Sequence, residues 1–242
     1  MNAVIVGASA GLGRALAEEL ASCGANLYLV ASDEEDLAPL VSDLRLRFDI
    51  EAAFEALDLM NMTSGLCDRS NSAIGPVDNL FIVAGAISTQ DYPPMEASEL
   101  HRIVRINFEA PLLIINDFLE SILSRPKANI VGIGTIASAR ARSRNSAYAA
   151  AKTGLESYFS SLRHALSKSR CRVQFYRMGF LSTSMTFGKR LLFPPVSPKA
   201  AAKAIVAGLD GDRERQYFPG WWKFICWLYQ SIPWFIFRKL DI

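Results

Sequence analysis

The chain has 242 residues, is half apolar and 21% charged, and carries 15 Gly and 11 Pro, which excludes a disordered or coiled-coil chain and allows a substantial buried core. Its 26 Lys and Arg against 24 Asp and Glu leave a charge of only +2 with no basic block, which argues against a nucleic-acid partner held through phosphate charge. Four cysteines (Cys23, Cys67, Cys171, Cys226) without a CxxC pair, and only two His, offer no metal cluster and suit a reducing compartment.

From the N-terminus, Met1-Asn2 leads directly into the apolar run AVIVG, with no room for a charged leader, so a cytoplasmic protein without a secretion signal is expected. Short Val- and Ile-rich runs then alternate with segments of helical period. AVIVG is followed by a helix over 12–23, NLYLVA (26–31) by a helix over 34–48, and IEAAFEALD (50–58) reads as a further strand. DNLFIVAG (78–85) precedes helical residues 97–124, NIVGIG (129–134) precedes 147–169, and RVQFYRMG (172–179) precedes 198–209. Strand runs that are apolar without alternation suit burial on both faces, so the pattern predicts an α/β fold with a doubly wound parallel sheet between two helix layers. Residues 1–210 read as one such domain holding the site, and 211–242 as a C-terminal extension rather than a second domain.

Gly7, Gly11 and Gly13 follow the first strand and open the first helix, in the stretch Gly7, Ala8, Ser9, Ala10, Gly11, Leu12, Gly13, Arg14. Backbone N–H groups and the helix dipole there can hold a pyrophosphate, as in a Rossmann-type fold, although the spacing GxxxGxG also fits an ordinary tight turn. The second strand ends Ala31-Ser32, without the carboxylate that would pair with a ribose 2′-hydroxyl, so NADP(H) is favoured over NAD(H), with Ser32 or Arg14 near its phosphate. Asp58, with Leu59 after it, ends the third strand and reads either as an acceptor for an adenine amino group or as a helix cap.

Tyr148 and Lys152 stand four apart on a helical segment, so both side chains share one face. A cation beside a phenol is expected to stabilise phenolate and bring the Tyr148 pKa towards the working range.

The glycine loop, the YxxxK pair about 140 residues later and the MGFLST segment (178–183) together resemble the short-chain dehydrogenase/reductases over nearly the whole of residues 2–210. The resemblance implies an oxidoreductase acting between ketone and secondary alcohol, with Tyr148 as general acid or base and Lys152 also holding the nicotinamide ribose. It assigns Thr135, thirteen residues before the tyrosine, to orient the substrate oxygen, with Ser138 as the other hydroxyl within reach. Asn107 matches the asparagine that kinks its helix and holds a relay water, and Thr183 the residue that bonds the carboxamide. Two departures stand out. The usual NNAG is Ile82-Val83-Ala84-Gly85, which keeps the small pair Ala84 and Gly85 against the cofactor, and the usual Pro-Gly is Met178-Gly179. Dimers or tetramers are common in such a family.

Residues 217–237 hold all four Trp and ten of the 25 aromatic residues, too apolar for a free surface. Pro219, Lys223, Gln230 and Pro233 interrupt them, so they make a poor spanning helix and read as an interfacial hairpin on a membrane, a subunit contact or a lid over the substrate. The tail motif IPWFIFRKLDI and the basic stretch with Arg140, Arg142, Arg144 and Asn145 before Tyr148 resemble reductases of polyprenyl-phosphate pentoses, of the kind that act in decaprenylphosphoryl-ribose 2-epimerisation. That resemblance implies reduction of a lipid-linked 2-keto-pentose after a flavin oxidase has acted, peripheral to the inner face of a membrane. The alternatives are reduction of another lipid, sterol or small apolar ketone, and a non-enzymatic NADP-binding protein.

Overall fold

The computed structural model describes residues 1–188 and 191–240; Lys189, Arg190 and the final Asp241-Ile242 of the tail motif lie outside them. Seven strands form one sheet: β1 (Asn2–Val6), β2 (Asn26–Ala31), β3 (Ala52–Ala56), β4 (Asn79–Ile82), β5 (Ala128–Thr135), β6 (Cys171–Met178) and β7 (Arg215–Phe218). Their order is β3-β2-β1-β4-β5-β6-β7 and every pairing is parallel. This is the Rossmann-type doubly wound sheet that the alternation predicts.

The absence of polar alternation in the strands has its cause in two cores. Ile5, Leu27, Leu29, Phe81 and Val131 point to a layer made by helices α1 (Gly11–Ser22), α2 (Glu34–Phe48) and α7 (Pro198–Ala207). Their neighbours Val4, Val6, Val30, Leu80 and Ile130 point to a layer made by α3 (Leu66–Ile74), α5 (Ala110–Leu123) and α6 (Ser146–Ala165). Each central strand therefore buries both faces.

The segment expected as one helix over 97–124 is three pieces. Helix α4 (Ala97–Val104) runs into a π turn (Arg105–Glu109) and then into α5. The expected strand over 50–58 is trimmed to 52–56, because Asp58 caps a short 3-10 turn by accepting from Met60 N at 2.9 Å. Helix α3 has no counterpart in the sequence reading. Its nine residues include two Ser, an Asn and an Asp, poor helix formers, and its start is capped from outside: Asp117 of α5 accepts from Gly65 N and Cys67 N, each at 2.9 Å.

The aromatic tail begins inside the sheet, since β7 pairs with β6. Helices α8 (Trp222–Ser231) and α9 (Trp234–Phe237) follow, and among the described residues no helix is long and apolar enough to cross a membrane. The buried Trp222 seats against Gly179, where an added Cβ would stand 2.0 Å from the indole Nε1. Arg140, just beyond β5, donates to the carbonyls of Tyr229 (2.8 Å) and Ile232 (2.6 Å) and lies 3.8 Å over the Phe237 ring. Gln230 reciprocates on Ala139 O at 2.7 Å. The tail is thus fastened to the segment between β5 and α6.

A buried ion pair fastens β6 to α6: Arg177 Nε meets Glu156 Oε2 at 2.8 Å, with side chains 8% and 5% exposed, and Arg215 of β7 pairs with the same carboxylate. Removing one member leaves a buried charge without its counter-ion. Glu156→Ala should therefore destabilise the protein by about 3–5 kcal/mol, read from the urea midpoint. A change below about 1 kcal/mol would show that the pair contributes little.

Candidate active site

Strand order reverses beside β1, and a cavity of about 1080 Å³ opens there at the carboxyl ends of the strands, where ligands of such sheets bind. The glycine loop forms one wall. Gly7 adopts a φ of +94°, and a Cβ on it would meet Ala84 N at 2.6 Å, while a Cβ on Gly13 would stand 1.9 Å from Gly7 O. Both positions need glycine for space, and Gly7 also for its dihedral. Gly11 brings Thr183 alongside, whose Cγ2 would be 3.1 Å from a Cβ there. No side chain caps α1 at Ala10 and no acid lies in its first turn, so the N–H groups of Gly11, Leu12 and Gly13 suit an anion. A cradle closed to side chains yet rich in free donors fits a dinucleotide pyrophosphate.

Ser9, Ala10, Ser32, Asp58, Leu59, Ala84, Gly85, Gly179 and Thr183 line the same cavity, as do Thr135, Tyr148 and Lys152. Three expected residues do not. Arg14 is exposed and away from the cavity wall, which leaves Ser32 as the residue at the end of β2. Ser138 is turned into its own loop and donates to Thr135 O at 2.7 Å. Asn107 lies behind the wall, fully buried. The carboxylate nearest the end of β2, Asp33, caps α2 by accepting from Glu35 N at 3.0 Å.

Asn107 sits in the π turn, and its Nδ2 donates to Ile103 O at 2.9 Å, one turn back, and to Ala86 O at 2.7 Å. Its Oδ1 accepts from Ala86 N at 3.2 Å. The helix break predicted at this asparagine is therefore a π bulge whose side chain grips the loop after β4. A Cβ on Gly85 would lie 3.2 Å from Asn107 Oδ1 and 3.4 Å from Lys152 Nζ, so the loop, the asparagine and the lysine form one packed cluster.

Lys152 is 3% exposed, and its amine donates to Ala84 O at 2.9 Å and Ile133 O at 3.3 Å. Burial drives it down from 10.5 to about 8. The Tyr148 phenol goes the other way: burial pushes it up to about 12, opposed only by a hydrogen bond with the Thr135 hydroxyl. This corrects the expectation that a neighbouring cation lowers the phenol. The lysine amine is engaged by carbonyls, and desolvation decides the tyrosine. A phenol so placed is protonated at neutral pH and is a proton donor.

One residue of the site carries no signal in the sequence. Asp91, 2% exposed in the loop after β4, accepts from Ala147 N (2.7 Å), Tyr148 N (2.9 Å) and Ser146 Oγ (3.1 Å) at the start of α6. Asn145 stands at the cap position but is held at φ +57° without a side-chain cap, so Asp91 caps the helix from 55 residues away. It anchors the turn that carries Tyr148. Arg142 also lines the cavity, and among the described residues its buried Nε has no hydrogen-bond partner.

A family model described as short chain dehydrogenase matches residues 1–190. A very-long-chain 3-oxoacyl-CoA reductase of Podospora anserina is 30% identical over 231 residues, spanning 91% of this chain and 67% of its own length. An uncharacterized oxidoreductase of Mycobacterium tuberculosis is 24% identical over 239 residues, with 98% and 96% covered. The X-ray structure of an alcohol dehydrogenase from the archaeon Thermococcus sibiricus, complexed with 5-hydroxy-NADP, superposes with a TM-score of 0.79 at 22% identity, over 89% of this chain and 94% of that one. That likeness carries the fold.

The buried lysine makes a signed prediction. Its amine titrates near 8 when folded against 10.5 in an open chain, so between those values the unfolded state holds the extra proton and folding becomes more favourable as pH rises. Relative to Lys152→Met, the wild type should gain up to about 3 kcal/mol of stability between pH 8 and 10.5, seen in paired urea titrations. Parallel curves for the two proteins would contradict the buried amine.

Proposed function

The chain belongs to the short-chain dehydrogenase family, and from that premise we propose that it is an NADP(H)-dependent reductase of a ketone carried on a lipid-linked, phosphate-bearing substrate. The specific candidate is the 2-keto-pentose of a polyprenyl phosphate, reduced after a flavin oxidase has made the ketone. The observation that carries this reading is Arg142. A guanidinium nitrogen buried beside the reactive cavity, with no partner among the described residues, suits a substrate oxyanion, which Arg binds in fork geometry. Leu191 and Leu192 supply an apolar lip to the same cavity. Ser32 at the end of β2, with Asp33 committed to capping α2, supports NADP(H) over NAD(H).

The glycine loop, Ser32, Asp58 and Thr183 would hold a nicotinamide dinucleotide, which would supply the hydride when bound. Tyr148 then donates its phenolic proton to the carbonyl oxygen as charge develops there, and Thr135 donates a hydrogen bond to the same oxygen. The high phenol pKa keeps Tyr148 protonated at neutral pH, the form that reduction of a carbonyl requires. Lys152 restores the proton, with Asn107 holding the loop that packs against its amine. Residues 1–210, completed by β7 of the same sheet, serve as the nucleotide-binding and catalytic domain, with α8 and α9 as its extension. The protein works in the cytoplasm as a homodimer or homotetramer, peripheral to the inner face of the membrane. A second reading, a ketoacyl thioester as substrate, draws on the Podospora anserina relative.

Oxidation of NADPH and NADH by the purified protein should be followed with the keto-pentose lipid, a 3-oxoacyl thioester and a sterol ketone. The proposal expects turnover with the keto-pentose lipid and NADPH, lowered at least about 100-fold in Tyr148→Phe. Turnover with the thioester alone would replace the substrate, and nucleotide binding indifferent to Tyr148→Phe with no turnover on any ketone would replace the enzyme with a binding protein.

A further inference from the structure

Helix α8 carries apolar side chains on two opposite faces, yet only one of them is covered. Trp222 and Cys226 are buried against Ala139 and its surroundings, while Phe224, Trp227 and Leu228, spaced three and four apart on the opposite face, are 72%, 67% and 63% exposed. Trp234 and Phe235 of α9 continue this outer face at 68% and 63%. The face is rigidly mounted, because Arg140 and Gln230 tie the end of α8 to residues 139–140 and Arg140 packs on Phe237 of α9.

Two observations say what covers it. From residue 216 onward the sequence carries three basic side chains, Lys223, Arg238 and Lys239, all exposed, against one acid, Asp241, so the balance is positive and has the sign that meets an anionic surface. The apolar strip also continues to the cavity: the Phe193 ring lies 5.3 Å from that of Trp221, and its chain neighbour Leu192, 78% exposed, lines the cavity lip. A Trp-rich face with basic flanks and no spanning helix matches a segment lying in the interface of a bilayer.

We propose that the outer face of α8 and α9 docks on an anionic lipid bilayer and sets the cavity lip at the membrane surface, where the apolar chain of a substrate can pass from the lipid to the site. The proposal rests on the lipid-linked substrate reading for its purpose, but the docking itself is independent of turnover.

The test is flotation of the purified full chain with vesicles of phosphatidylcholine mixed with phosphatidylglycerol, and with phosphatidylcholine alone. It should be run beside light scattering and NADPH binding. The wild type should float with the anionic vesicles, less so in high salt. The combined variant Phe224→Ser, Trp227→Gln, Leu228→Gln, Phe235→Gln should lose about tenfold or more in partitioning, with NADPH affinity unchanged. If the wild type floats with neither vesicle the proposal fails, and if the variant then loses a subunit by light scattering the face belongs to a second copy. Flotation without turnover on the keto-pentose lipid would overturn only the substrate reading, and turnover without flotation only the docking.

Discussion

The amine of Lys152 is the constraint around which the site is organised. An ionisable group at 3% exposure is costly to bury, and two backbone carbonyls, Ala84 O after β4 and Ile133 O in β5, are its partners. Meeting both requires α6 to lie across the carboxyl ends of those strands at a fixed height. Gly85 then leaves only tight space for a Cβ between the lysine and Asn107, and Asn107 reaches the loop from a π bulge. The same placement puts Tyr148, one turn earlier, against Thr135.

Helix α6 is held at three levels. Asp91 fixes its first turn, Lys152 its middle, and Glu156, one further turn along, ties it to Arg177 of β6 and Arg215 of β7. The last of these joins the catalytic helix to the strand from which the aromatic tail departs, while Arg140 fastens the tail to the segment that follows Thr135. The tail is part of the frame around the active site, and a shift of α8 or α9 would be felt at residues 139–140.

Much of this was legible in the sequence because it depends on local spacing. Strand runs apolar on both faces, a glycine loop and a tyrosine four residues before a lysine are short-range patterns, and the structure brings those residues to one cavity. The parts that were not legible depend on distant partners. Asp91 and Asp117 cap helices 55 and 52 residues away, so neither aspartate carries a signal beside the helix it starts. Strand β7 is four residues long and half polar, and pairs only because β6 offers a free edge. The phenol pKa is not legible for a related reason: spacing reveals that a cation is near, but not that carbonyls occupy it and that burial dominates.

The central claim, a buried amine held by backbone carbonyls beneath the reactive tyrosine, is tested most directly by NMR titration of the lysine side chains labelled with nitrogen-15, with Lys152→Met supplying the assignment. The account predicts one amine titrating at about 8, set apart from the exposed lysines. A Lys152 amine that titrates with the others near 10.5 would contradict it.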